Sequence, residues 1–262
     1  MNDEAASSER GAGDEVPFGF RKVARDEKSG LVRGVFDSVA SRYDVMNDVM
    51  SGGLHRIWKD LFVRRLRARA GEHVVDIAGG TGDIAFRALA PFQERTAVDR
   101  PQVTVLDINE AMLRVGRARG LDRGIVRGLD WVCADAQALP LPDRSADAYT
   151  VAFGMRNMTD VPAALAEAYR VLRPGGRFLC LEFSKVTPLL SRAYDLYSFR
   201  LLPVMGKVIA RDAESYRYLA ESIRTFPDQR AFAGLIEGAG FDRVSFTNLS
   251  GGIVAIHTGW RT

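Results

Sequence analysis

The stretch HVVDIAGGTGDIA, residues 73–85, decides the fold. Its first half is a short apolar run containing the adjacent β-branched pair Val74 and Val75, which reads as a buried strand. Its second half places glycines at 79, 80 and 82 around Thr81 and turns to a helical pattern from Asp83. Strand, glycine turn and helix in that order make the first half of a parallel βαβ unit. Such a turn lets backbone approach a ligand closely at the carboxyl end of the strand.

Working outward, QVTVLDI (102–108), LDWVCADA (129–136), DAYTVAF (147–153) and RFLCLEF (177–183) each read as a buried strand bounded by Gly, Pro, Asp or Asn. The clearest helix between them spans 161–172: Val161, Ala164, Leu165, Ala168, Val171 and Leu172 share a face, Asp160 is placed as N-cap and Arg173-Pro174-Gly175-Gly176 stops it. This alternation demands a parallel sheet with right-handed crossovers. The last two strands, FDRVSFTNL (241–249) and IVAIHTGW (253–260), are joined only by Ser250-Gly251-Gly252 and must pair antiparallel. The expected fold class is α/β, Rossmann-like, with a mostly parallel seven-stranded sheet that closes in a C-terminal antiparallel hairpin. An all-parallel dinucleotide fold would need a helical crossover before its last strand.

Around this domain (71–262) the sequence predicts three further pieces. Residues 1–15 carry five acids against Arg10 and no apolar period, predicting a disordered tail. Residues 16–70 predict an N-terminal helical lid, with Phe36, Val39, Tyr43 and Met46 on one helix and Leu54, Ile57, Trp58, Leu61, Phe62 and Leu66 striping a second whose other face is Arg-rich. A helical insertion rich in apolar and aromatic residues is expected over 186–225.

A net charge of +3 over 262 residues gives no footprint for nucleic acid. Cys133 and Cys180 lie in apolar runs and cannot form a disulfide framework, so a reducing, cytoplasmic setting is expected. The polar, acidic N-terminus and the absence of a long apolar run predict neither a signal peptide nor a transmembrane helix.

Gly80-Thr81-Gly82-Asp83-Ile84-Ala85 fits the dinucleotide fingerprint, which leaves a nicotinamide cofactor open. Two acids point elsewhere. Asp76 within the strand and Asp83 at the helix start repel a diphosphate and suit a cation. S-adenosylmethionine has a sulfonium, an ammonium and no phosphate, and backbone N–H groups of the loop can take its carboxylate. Asp107, ending the second strand, is placed for two ribose hydroxyls, and Asp135-Ala136 for an adenine and its amine.

These residues resemble class I S-adenosylmethionine-dependent methyltransferases, and more narrowly the family that C-methylates the quinol ring in ubiquinone and menaquinone biosynthesis. The resemblance rests on VFDSVASRYDVMNDVMSGGLHRIWK (35–59), VVDIAGGTGDIA (74–85), DAQALPLPD (135–143), FGMRNMTD (153–160), EAYRVLRPGGRFLCLEFS (167–184), RDAESYRYLAESIRTFPDQ (211–229) and the closing GGIVAIHTG. It implies cofactor contact by Thr81, Asp107, Asp135 and Ala136, joining Asp76, Gly80 and Gly82 of the loop, with no metal. Where some members have Ser before the FG pair, this chain has Ala152.

Methylating a ring carbon needs a phenol, of ordinary pKa ~10, to lose its proton. Arg156 is expected to stabilise the phenolate, Asn157 to hold a ring oxygen, and His55 or Asp44 to act as base beside Tyr43 and Asn47 in the lid. The implied acceptor is a polyprenyl quinol, 2-methoxy-6-polyprenyl-1,4-benzoquinol, demethylmenaquinol or both, its tail in a channel formed by the insertion. Expected partners are the inner face of a membrane, other quinone-biosynthesis enzymes and a second copy of the chain, but no nucleic acid. O-methylation in the same pathway, a nicotinamide oxidoreductase and a non-catalytic RNA- or partner-binding module are the competing readings.

Overall fold

A computed structural model describes residues 15–39, 47–48, 51–96, 99–186 and 213–262. The described elements run β1 (Glu15–Phe18), β2 (Arg21–Ala24), α1 (Arg25–Val39), α2 (Leu54–Leu66), β3 (His73–Ile77), α3 (Asp83–Leu89), β4 (Gln102–Asp107), α4 (Glu110–Asp122), β5 (Leu129–Cys133), β6 (Ala146–Ala152), α5 (Val161–Val171), β7 (Leu172–Phe183), α6 (Ala213–Thr225), α7 (Gln229–Gly238), β8 (Asp242–Leu249) and β9 (Val254–Trp260). Strands β3 to β9 form one seven-stranded sheet in the order β5-β4-β3-β6-β7-β9-β8. Pairing is parallel from β5 through β7, while β9 lies antiparallel between β7 and β8. The expected closing hairpin is therefore present. The order reverses direction beside β3, so the loops after β3 and β6 open a crevice at the carboxyl ends of the strands.

The central strands β3, β4, β6, β7 and β9 are buried on both faces, which is why they read as apolar runs, while the edge strands β5 and β8 are half-buried or exposed. One layer packs Tyr149, Phe178, Leu165 and Phe232 beneath α5 and α7. The other packs Trp58, Phe62, Leu66, Ala85 and Leu113 from α2, α3 and α4. Asp160 caps α5 as expected, accepting from the Ala163 N–H. The strand after α5 begins earlier than its sequence suggests. Leu172 already pairs with Ala146, and Arg173-Pro174-Gly175-Gly176 bulges out before pairing resumes at Arg177.

The N-terminal piece departs from an all-helical lid. Glu15 to Ala24 form a hairpin, and α1 starts at Arg25, ahead of the apolar spacing that begins at Leu31. Phe18 stacks on Tyr218 at 4.3 Å between centroids, which ties this hairpin to α6. In α2 the expected single stripe splits, because a helix packing on one face cannot bury so wide an apolar arc. Trp58, Phe62 and Leu66 are buried with Lys59, whereas Leu54, Ile57 and Leu61 remain exposed. The expected tail, apart from Glu15, and most of the insertion (187–212) lie outside the described residues, as do Tyr43, Asp44 and Met46.

Trp131 on β5 clamps the glycine turn to the sheet. A Cβ at Gly82 would stand 2.5 Å from its ring, and a Cβ at Gly116 of α4 would stand 2.4 Å from it. Gly82 also holds φ at +81°, which a side chain would strain. Gly116→Val should therefore overpack this sandwich and destabilise the fold by roughly 1–3 kcal/mol in chemical denaturation. An unchanged midpoint would show that the indole is not held between the two glycines.

Candidate functional site

Four strand ends converge on one crevice of about 1100 Å³, counting its open mouth. It is lined by the carboxyl ends of β3, β4 and β6, the segment after β5, and Val32, Arg33 and Phe36 of α1 above them.

Asp76 forms the floor. Its carboxylate is 1% exposed. Thr150 Oγ1 donates to Oδ1 at 2.8 Å, while Oδ2 is buried without any hydrogen-bond partner. A Cβ at Gly79 would come 2.8 Å from that oxygen, so only glycine leaves the approach open. Burial pushes the Asp76 carboxyl up to about 7, with the neighbouring charges of Asp83 and Asp107 adding to the rise. An unsatisfied buried carboxylate oxygen lining a crevice is a seat for a cation or a strong donor.

Asp107 closes the next strand. Its oxygens accept from the Gly80 and Asn109 N–H groups, each at 2.8 Å. Burial nevertheless raises its carboxyl to about 6. Both oxygens keep further acceptor capacity, which suits a vicinal pair of hydroxyls. Asp135 accepts from the Gln137 N–H and side-chain amide at 2.9 Å, and Gln137 Oε1 accepts from the Asp160 N–H at 2.8 Å. Asp135 and Ala136 are thereby fixed at the crevice wall, where Met112 and Ile108 add apolar surface for a planar ring.

The glycine turn works partly otherwise than its sequence suggests. The Gly80 N–H is committed to Asp107 and the Gly82 N–H to the Gly79 carbonyl at 2.8 Å. Gly82 does not line the crevice and serves the turn and the Trp131 contact instead. Asp83 also changes meaning. Lys59 Nζ lies 2.9 Å and Arg87 Nε 2.8 Å from its oxygens. Although burial raises the Asp83 carboxyl, these cations hold it below the usual range. Its charge is neutralised, and Asp76 alone carries the repulsion expected of the pair.

The acceptor-side residues are sorted by their neighbours. Asn157 lines the crevice, and its Oδ1 accepts from the Tyr218 hydroxyl at 3.0 Å. This contact fixes the amide so that its NH2 gives one hydrogen to the Phe153 carbonyl, at 3.5 Å, and keeps the other for a ligand. Arg156 does not line the crevice; its buried guanidinium pairs with Glu182 at 2.8 Å and donates to the Phe153 carbonyl at 2.5 Å. The expectation that it meets a phenolate fails because Glu182, the one acid within the otherwise apolar run of β7, is buried beside it and takes its charge. Arg156 instead holds the Met155–Asn157 turn and so positions Asn157.

His55 is likewise elsewhere. It is buried, lines a second cavity rather than the crevice, and pairs with Asp48 at 2.8 Å. Tyr43 and Asp44 fall outside the described residues. Thus Asp76, Gly80, Thr81, Asp107, Asp135, Ala136 and Asn157 come together, and Gly82, Arg156 and His55 do not. Lys59, Glu182, Gln137 and Tyr218 lie outside the candidates that the sequence offers. Of these, only Lys59, misplaced by its sequence neighbours on an apparently basic solvent face, had a legible position.

With this geometry in hand, comparison with known proteins is specific. Residues 21–261 match the model of the ubiE/COQ5 methyltransferase family. The ubiquinone/menaquinone biosynthesis C-methyltransferase UbiE of Methylobacterium nodulans is 60% identical over 247 residues, covering 93% of this chain and 96% of that protein. The protein of that name from Dinoroseobacter shibae is 55% identical over 245 residues, with the same coverage. Among solved structures, phosphoethanolamine N-methyltransferase 2 of Haemonchus contortus with S-adenosylhomocysteine aligns with a TM-score of 0.63 at 13% identity, over 88% of this chain and 60% of that one. A SAM dependent methyltransferase from Aquifex aeolicus aligns at 0.55 and 15%, over 78% and 89%. At those identities the solved structures show the fold alone.

The Asp76 geometry sets a stability cost. Its carboxyl rises from 3.8 to about 7 on folding, so the folded state favours the neutral form and loses stability as the pH climbs between those values. Asp76→Asn should therefore raise the thermal midpoint of the ligand-free protein, by a margin that grows from pH 4 toward 7 and is level above. A midpoint lowered at pH 8 would show that the ionised carboxylate is stabilised after all.

Proposed function

Because the chain belongs to the ubiE/COQ5 methyltransferase family, we propose that its crevice serves methyl transfer from S-adenosylmethionine to a ring carbon of a polyprenyl quinol in ubiquinone and menaquinone biosynthesis. The acceptor is the benzoquinol 2-methoxy-6-polyprenyl-1,4-benzoquinol, demethylmenaquinol or both. Relatives spanning almost all of the chain are C-methyltransferases of that biosynthesis. The observation that carries the reading is the buried, half-satisfied carboxylate of Asp76.

The residues fit this donor point by point. Asp76 Oδ2 offers a buried acceptor to a positively charged group, Asp107 can accept from ribose hydroxyls, and Asp135 with Ala136 can flank an adenine. A diphosphate would meet the Asp76 carboxylate instead, which disfavours the nicotinamide reading. When bound, S-adenosylmethionine supplies a methyl group carried on a positively charged sulfur.

On the acceptor side the chain orients and desolvates. A phenol with an ordinary pKa of ~10 is a weak carbon nucleophile until its proton leaves. The Asn157 NH2 donates to the ring oxygen that becomes negative, and Tyr218 holds the amide in that orientation. Burial pushes the Tyr218 hydroxyl up to about 12, so it stays a donor at neutral pH. Arg156 and Glu182 keep Asn157 in place from behind. With His55 turned to the second cavity, Asp44 is the proposed base and Tyr43 its neighbour. After the methyl group arrives the ring carbon gives its proton to water, which restores an aromatic phenolate, and Asp44 returns the phenolic proton to the ring oxygen.

A membrane-borne acceptor calls for peripheral contact with the inner face. Among the described residues no helix is long and apolar enough to cross a membrane. Support for contact comes from α2, where Leu54, Ile57 and Leu61 are exposed along a helix that also carries Arg64 and Arg65.

Transfer is tested with S-adenosylmethionine labelled in its methyl group and a reduced, demethylated polyprenyl quinol. The label should appear as a ring C-methyl by NMR; a methoxy signal would move the reading to O-methylation, and no transfer would refute it. Tyr218→Phe should lower kcat roughly tenfold, equivalent to about 1.4 kcal/mol, and leave donor affinity unchanged. An undiminished kcat would remove Tyr218 from the orientation of Asn157.

A further inference from the structure

S-adenosylmethionine carries a carboxylate beside its ammonium, and Asp76 answers only positive charge. The carboxylate needs a partner of its own once it leaves water. The glycine turn supplies little. Gly79 N–H donates to the Leu106 carbonyl at 3.2 Å, Gly80 N–H to Asp107 at 2.8 Å and Gly82 N–H to the Gly79 carbonyl at 2.8 Å. At most the Thr81 N–H is left for a ligand, so the expectation that the loop amides take the carboxylate loses most of its donors.

Among the described residues two cations line the crevice, Arg33 of α1 and Lys59 of α2. They stand at different walls. Arg33 is exposed, and its carbonyl accepts from the Asn109 side chain at 3.5 Å, which puts it over the strand end that carries Asp107. Lys59 is 5% exposed and stands on the Asp76 side, where its charge works against the rise that burial imposes on the Asp76 carboxyl.

Lys59 has more donors than its one contact uses. Its Nζ donates to Asp83 Oδ2 at 2.9 Å, and among the described residues its other two N–H groups meet no acceptor. Asp83 does not depend on it alone, because Arg87 Nε holds the other carboxylate oxygen at 2.8 Å. A buried ammonium with spare donors and a buried carboxylate with a bare oxygen thus line one crevice. Opposite charges so placed match an α-amino acid, which keeps its ammonium and its carboxylate on a single carbon.

We propose that Lys59 is the donor-binding residue that takes the carboxylate of S-adenosylmethionine, with Asp76 on the ammonium of the same amino acid. The inference rests on the reading of the crevice as the site of that donor. It makes the crevice selective for an intact methionyl group. A ligand that keeps the adenosyl, sulfonium and ammonium groups but lacks the carboxylate leaves the Lys59 donors unmet in a buried place.

Decarboxylated S-adenosylmethionine is that probe. Calorimetry on the intact chain, without acceptor, should show S-adenosylmethionine bound roughly tenfold or more tightly than the decarboxylated form. Lys59→Met keeps an unbranched apolar stem and should abolish this preference by weakening S-adenosylmethionine binding while the decarboxylated form binds as it does to the parent. Arg33→Gln should retain the preference. Equal affinity of the parent for the two forms overturns the proposal, as does a folded Lys59→Met protein that keeps the parent's preference or loses both forms alike. Loss of the preference in Arg33→Gln assigns the carboxylate to Arg33 and overturns it too. The parent comparison and the Arg33 variant decide the matter even if Lys59→Met does not fold. A parent that binds neither form overturns the donor reading itself, whereas a parent that binds both alike overturns only the role of Lys59.

Discussion

A carboxylate buried to 1% exposure with one oxygen satisfied and the other bare is the constraint around which this molecule is arranged. Left unpaired, a buried charge costs several kcal/mol, and Asp76 responds by holding its proton to about pH 7. Everything near it serves that arrangement. Thr150, from the neighbouring strand β6, fixes one oxygen; Gly79 keeps the approach to the other clear; the turn beyond is locked by the Gly80 bond to Asp107 and by the indole of Trp131. The chain gives up stability at the strand end and holds a cation seat there.

The turn that carries Asn157 is built by the opposite means, with its buried charges paired. The Arg156–Glu182 ion pair is enclosed between β6 and β7, and its contacts to the Phe153 carbonyl and the Arg156 and Phe183 N–H groups leave the Met155–Asn157 turn little freedom. Removing one member of such a pair typically costs 3–5 kcal/mol because the other charge is stranded. Asn157 inherits this rigidity on one side and the Tyr218 hydroxyl on the other. The N-terminal hairpin enters through Phe18, which stacks on the same tyrosine, so the hairpin and the Asn157 amide share one aromatic support. Lys28 of α1 adds a second tie, donating to the Met158 carbonyl at 2.9 Å.

How much of this the sequence showed follows physical lines. Strand periodicity, the short link at Ser250-Gly251-Gly252 and the acids at strand ends are local signals, and they placed the sheet, its closing hairpin and Asp76, Asp107 and Asp135 where the structure has them. Charge neutralisation is not local. Lys59 reaches Asp83 across 24 positions, and Glu182 reaches Arg156 across 26, so Asp83 looked like a repulsive acid and Arg156 like a free cation. The hairpin before α1 carries Pro17 and only four residues per strand, too short for alternation to be read. His55 sat in a segment that the family resemblance marks, yet its side chain follows the α2 face toward Asp48 and away from the crevice. Family resemblance located the segment and could not say which way each residue points.

Accommodating a positively charged donor should take the proton from Asp76. Calorimetry of S-adenosylmethionine binding near pH 6.5, repeated in buffers of different ionisation enthalpy, reads that proton directly. Release of a fraction of a proton on binding is expected, and it should be largely lost in Asp76→Asn. An enthalpy independent of buffer, or equal release by the Asp76→Asn protein, would contradict it.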